Sequence, residues 1–172
     1  MSELHESSSP AAALPQGLAL RSARFADLDA SALYAIARLR SEVFVVEQDC
    51  PYLDLDGRDL EPGAEQFWIE VADAAPEARV AATLRVLQDS DAARIGRVAT
   101  ALDWRGRSLA AALMRASIDA HDAASPERPM VLDAQSYLTG WYARFGFVQH
   151  GEEFVEDGIP HTPMRREPRA AA

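Results

Sequence analysis

The stretch from Ile95 to Met114 carries the densest chemistry in the chain. A strand-like run, Ile95 to Thr100, passes through a short turn into Arg105-Gly106-Arg107-Ser108-Leu109-Ala110, which opens an amphipathic segment. Small side chains at Gly106, Ser108 and Ala110 let a ligand approach the backbone. The first amides of a helix have no intrahelical acceptor and lie at the positive end of its dipole, so they favour phosphate. Arg105 and Arg107 add two cations there, and Arg97 lies on the strand leading in. The same residues also suit an ordinary strand–turn–helix with a solvated arginine turn. The spacing is neither that of a dinucleotide-binding glycine fingerprint nor that of a P-loop.

Other groups bear chemistry less specifically. Asp54, Asp56, Asp59 and Glu61 bring four carboxylates into one loop. Their glycine stands at position four of the run, where a calcium-binding loop needs it at position six, so no metal is expected. The run reads as a solvated, negatively charged loop able to attract a cation. Cys50 is the single cysteine, with no thiol partner and no zinc cluster. Without a histidine beside it in sequence, it reads as a packing residue.

These groups need elements to hold them. Leu18 to Phe25 reads as a strand. Asp29 or Ser31 caps a helix with Leu33, Ile36, Leu39 and Val43 on one face, continuing to Glu47 and ending before Pro51. Phe67, Ile69 and Val71 alternate as a strand, followed by Val80 to Leu87 and Ile95 to Thr100. Ser108 to Asp122 is helical, Met130 to Ala134 is a buried strand, and a short helix through Leu138, Trp141, Tyr142 and Phe145 stops at Gly146. Phe147 to Val155 and Ile159 to Arg165 form a closing hairpin around Asp157-Gly158. Pro160 and Pro163 place the last strand at an edge or a bulge. The order β, α, ββ, β, α, β, α, ββ gives an α+β layer fold with a mixed sheet.

The 172 residues support one domain. Residues 1–16 and 167–172 read as tails around a domain at 17–166. The chain carries 27 acidic residues against 17 basic ones, for a net charge of -10, and every basic residue is arginine. That balance disfavours general nucleic-acid binding. No run of 18 apolar residues or secretory leader is present, so a cytoplasmic protein without membrane contact is expected.

A second stretch, Asp133-Ala134-Gln135 followed by Trp141-Tyr142-Ala143-Arg144-Phe145-Gly146-Phe147, completes a pattern with the first. Together they resemble the GNAT acetyltransferase superfamily. Arg40 to Tyr52, Asp54 to Asp59, Ile95-Gly96-Arg97-Val98, Ala134-Gln135 and Asp157-Gly158-Ile159-Pro160-His161 are similar to its ElaA-like branch. The resemblance covers about residues 18–166. It implies a three-layer α/β/α fold with a mixed, mostly antiparallel sheet, and a cofactor site where the fourth and fifth strands splay.

It also implies acetyl-CoA as donor and an amine as acceptor. Backbone groups at Val98, Ala99 and Thr100 would hold the acyl carbonyl and pantetheine arm. Arg105, Gly106, Arg107, Ser108, Leu109, Ala110 and Ala111 would form the pyrophosphate cradle, with Ser108 standing where the family usually has glycine. Tyr142 would be the general acid, and a phenol of pKa about 10 suits that task. His161, Glu47 and Glu42 are alternative general bases. The corresponding expectation is an N-acetyltransferase working by direct amine attack, as a monomer or homodimer. Transfer of a longer acyl group, as in acyl-homoserine-lactone synthases, and a non-catalytic acyl-CoA sensor are the alternatives.

Overall fold

The computed structural model describes residues 14–168. Most of both expected tails therefore lies outside the described residues, although Leu14 packs against the main core. Strand β1 (Leu18–Arg24) leads to α1 (Ala30–Arg40), whose N-cap Asp29 accepts the Ala32 amide at 2.7 Å. A π-helical turn, Ser41–Glu47, carries the helix on as expected. Strands β2 (Glu65–Val71), β3 (Val80–Gln88) and β4 (Ala93–Thr100) form an antiparallel meander with β1. Helix α2 (Leu109–Ala124) crosses over to β5 (Met130–Gln135), which runs parallel to β4. Helix α3 (Thr139–Ala143) and strands β6 (Val148–Gln149), β7 (Phe154–Glu156) and β8 (Ile159–Arg166) complete the chain. The sheet order is β1-β2-β3-β4-β5-β8-β6, with β7 also paired to β8.

The sheet separates two cores. On one face Phe67, Ile69, Leu84, Val86 and Ile95 pack with Leu109, Leu113 and Ile118 of α2. On the other, Trp68, Val80 and Ala99 pack with Ala32, Ile36 and Leu39 of α1. The three-layer α/β/α expectation therefore holds.

Two sequence expectations need correction. The strand expected over Phe147 to Val155 is split into β6 and β7, because the chain turns over Pro163 at Gly151. A Cβ there would meet the proline ring at 3.1 Å. Strand β8, expected at an edge or a bulge, lies inside the sheet between β5 and the β6/β7 pair. It tolerates Pro163 because that residue's carbonyl, which accepts the His150 amide at 2.8 Å, faces the break between β6 and β7. An amide at the same position would face that side too, so no bond to β5 is lost. The Asp157-Gly158 turn is as expected: both residues have positive φ (50° and 79°), the backbone of a tight two-residue hairpin.

The acidic loop is the largest departure. Far from being solvated, Asp54 and Asp59 are buried around Arg40, which is only 1% exposed. Arg40 Nε donates to Asp54 at 2.8 Å and Nη1 to Asp59 at 2.7 Å. Arg85 Nη1 lies 3.1 Å from Asp59 and donates to Asp56 at 2.8 Å. Burial alone would raise the Asp59 carboxyl pKa, but hydrogen bonds and charge from Arg40 and Arg85 outweigh it and hold the group below its ordinary range. Removing Arg40 takes their most buried partner from two buried carboxylates, leaving Asp54 to Arg97 and Asp59 to Arg85. Arg40→Ala is therefore expected to cost about 3–5 kcal/mol, read as a lower urea midpoint.

Helix α2 starts from an unusual residue. Ser108 has φ 59° and its side chain makes no capping bond. Left-handed backbone is unfavourable for a residue with a Cβ. Ser108→Gly is expected to raise stability by about 0.5–1 kcal/mol in urea unfolding, since glycine accepts that backbone freely and no cap bond is lost.

Candidate active site

The parallel ladder between β4 and β5 is short. It pairs Ala93 with Met130 and Arg94 with Val131, and no further rung forms. Beyond Arg94 the strands diverge, leaving β4 without a neighbouring strand on that side through Thr100. The splay expected from the family resemblance is therefore present. It opens into a cleft of about 590 Å³ whose walls include Val98, Ala99, Thr100, Arg105, Tyr142 and His161.

β4 enters this cleft through a bulge. Gly96 faces Arg85 and Ala99 faces Thr83, so Arg97 and Val98 together oppose the single residue Leu84. Arg97 takes φ 54°. The extra residue reverses side-chain parity. Ile95 belongs to the α2-side core and Ala99, four residues on, to the α1-side core.

Past Thr100 the chain turns through Leu102–Trp104 into the cradle region. Gly106 (φ 75°) and Ser108 (φ 59°) are both left-handed, and a Cβ on Gly106 would meet nothing within 4 Å. The turn thus presents open backbone in front of the first amides of α2, at Leu109, Ala110 and Ala111. Those residues, with Gly106 and Arg107, continue from the cleft rather than lining it. The arrangement suits a pyrophosphate: small groups, a free surface and an unpaired helix start.

The arginines behave differently from the sequence expectation. Arg105 is held by Glu47 through two bonds of 2.8 and 2.6 Å and donates to the Thr100 carbonyl at 3.1 Å. Arg107 lies over the Trp104 ring at 4.8 Å. Arg97 turns away to the acidic loop, with Nε 2.7 Å from Asp54. Each of the three arginines expected around the phosphates therefore already has a partner within the protein.

The candidate acid–base residues separate clearly. Tyr142 is buried by Trp141 and Phe147, both in edge contact with its ring. Among the described residues nothing hydrogen-bonds its hydroxyl, and burial pushes its pKa up. The His161 ring stacks on Phe154, and Nδ1 donates to the Ile159 carbonyl at 2.9 Å. A carbonyl only accepts, so Nδ1 carries the proton of this bond, while Nε2 makes no hydrogen bond among the described residues. Glu47 and Glu42 do not line the cleft. The bond from Arg105 lowers the Glu47 pKa, and Glu42 pairs with Arg38 at 2.7 Å.

Sequence reasoning missed a polar bridge across the cleft. Gln135 Nε2 donates to Gln48 at 3.2 Å and the Tyr137 hydroxyl donates to Gln135 at 2.6 Å. It also missed Tyr52, which lines the cleft beneath Arg97 and whose phenol burial pushes up to about 12. Neither has a sequence signal, since both depend on side chains meeting across long separations.

The chain is similar to known proteins and solved structures. A UPF0039 protein of Mycobacterium bovis is 46% identical over 152 residues, covering 86% of this chain and 92% of that protein. Protein ElaA of Escherichia coli is 38% identical over 144 residues, covering 82% and 91%. The crystal structure of an acyl-CoA N-acyltransferase from Pseudomonas aeruginosa superposes with TM-score 0.80 at 37% identity, covering 87% of this chain and 99% of that one. Residues 58–168 match the acetyltransferase (GNAT) domain family. With an opened β4–β5 pair, a bulged β4 and an exposed cradle before α2, the chain belongs to the GNAT acyltransferases, in the branch that includes ElaA.

Proposed function

We propose that this protein transfers an acetyl group from acetyl-CoA to a primary amine by direct attack within a ternary complex. The observation that carries the reading is the opened β4–β5 pair with the unpartnered Tyr142 hydroxyl in its wall. Bound acetyl-CoA supplies a thioester carbonyl and a thiolate leaving group.

The backbone groups of Val98, Ala99 and Thr100 hold the carbonyl and pantetheine arm, stabilising negative charge that develops on oxygen. Gly106 through Ala111 receive the pyrophosphate on their amides, and Arg105 steadies the turn through Glu47. Tyr142, a phenol and so protonated at neutral pH, gives its proton to the sulfur as the carbon–sulfur bond breaks. The His161 Nε2 lone pair accepts the amine proton, directly or through water. It suits that role better than Glu47 or Glu42, since a carboxylate held by arginine is a weak base.

The acceptor is not drawn in by a general negative field, because the carboxylates of the 54–61 loop are largely spent on arginines. Recognition rests instead on the polar wall of Gln48, Gln135 and Tyr137. The domain acts in the cytoplasm as a monomer or homodimer.

Millimolar acetyl-CoA is expected to raise the thermal midpoint; no shift would overturn the reading. In a thiol-release assay over a broad amine panel, Tyr142→Phe is expected to lower kcat about 100-fold while the acetyl-CoA Kd stays unchanged. Unchanged turnover would remove Tyr142 from the acid role.

A further inference from the structure

Arg97 combines an unfavourable backbone with an unusually complete set of side-chain restraints. Left-handed φ is rare for a residue with a Cβ and persists only where the surroundings over-determine it. Here they do. Arg97 Nε lies 2.7 Å from Asp54 Oδ1, and Nη2 reaches the Asp54 carbonyl and Asp56 Oδ2, each at 3.2 Å. The guanidinium sits 5.4 Å from the centre of the Tyr52 ring. Its anchors are themselves fixed, Asp54 by Arg40 at 2.8 Å and Asp56 by two Arg85 bonds at 2.8 and 2.9 Å. The guanidinium is therefore held on the acidic loop at the wall of the cleft.

We propose that Arg97 is a positioning residue: its ion pairs with Asp54 and Asp56 hold the β4 bulge, and the bulge decides which β4 backbone groups face the cleft. Parity makes the consequence concrete. Without the extra residue Ala99 would share the α2 face with Ile95, and the backbone groups of Val98 to Thr100 would exchange sides. The 54–59 loop thus acts on the acyl site through Arg97 without touching the acyl group. The kinetic part of the proposal rests on the acyltransferase reading; the structural part does not.

The test compares Arg97→Ala, Arg97→Gly and Asp56→Asn with the wild type. Glycine accepts the left-handed backbone without a clamp, whereas alanine does not. Arg97→Ala is expected to lower kcat about tenfold or more, Arg97→Gly to recover much of that loss, and Asp56→Asn to fall between them. The CoA dissociation constant from calorimetry should change by less than about threefold in all three. Equal kcat for the alanine and glycine variants would overturn the proposal. So would a loss of CoA affinity of about tenfold, which would make Arg97 a phosphate contact. If no amine supports turnover even with wild type, the functional reading fails and the backbone carbon shifts of residues 96–99 decide the clamp. They should move in Arg97→Ala and return in Arg97→Gly; shifts that stay put in Arg97→Ala would overturn it.

Discussion

The molecule is organised around a parallel strand pair that stops after two rungs. β4 and β5 pair through Ala93–Met130 and Arg94–Val131 and then part. Backbone groups inside a protein need partners, and a strand edge facing an internal cleft leaves its groups for a ligand. Everything around the opening keeps it from closing. The β4 bulge turns Ala99 onto α1, α2 begins only after two left-handed residues, and α3 places its aromatic residues in the gap beside β5.

Charge follows the same plan. The chain is strongly acidic overall, yet its acidic loop is folded inward on arginine rather than displayed. Arg40, Arg85 and Arg97 share Asp54, Asp56 and Asp59 in one network that joins the end of α1 to β3 and the β4 bulge. Arginine suits this use because its planar guanidinium forms several directed bonds at once and stays charged when buried. A second pairing, Arg105 with Glu47, ties the cradle turn to the π-helical end of the first helix.

Much of this was readable in the residues, and the exceptions have physical reasons. Helix α1 was readable from its capping Asp29 and apolar spacing, and the last hairpin from Asp157-Gly158. The splay was expected only through the family pattern, because periodicity says where strands run and nothing of where two of them part. The acidic loop misled because Asp54 and Asp59 look solvated until Arg40 is placed. Arg40 sits four residues after Ile36 and one after Leu39, on the apolar face, and that position was the available sign of its burial. The arginines were misread for the matching reason: spacing put Arg97, Arg105 and Arg107 together along the chain, but distant carboxylates pair with Arg97 and Arg105, and the neighbouring Trp104 ring lies under Arg107. Among the base candidates, only the fold shows that His161 lines the cleft while Glu42 and Glu47 lie outside it and are paired with arginines.

The central claim is that acyl-CoA lies in the opened β4–β5 gap with its phosphates on the turn before α2. Hydrogen–deuterium exchange with and without saturating acetyl-CoA tests it most directly. The account predicts slowed exchange concentrated in peptides covering Val98 to Ala111, with a smaller effect over β5 and α3. Unchanged exchange in the Val98 to Ala111 peptides at saturation, or protection confined to β1, β2 and α1, would contradict it.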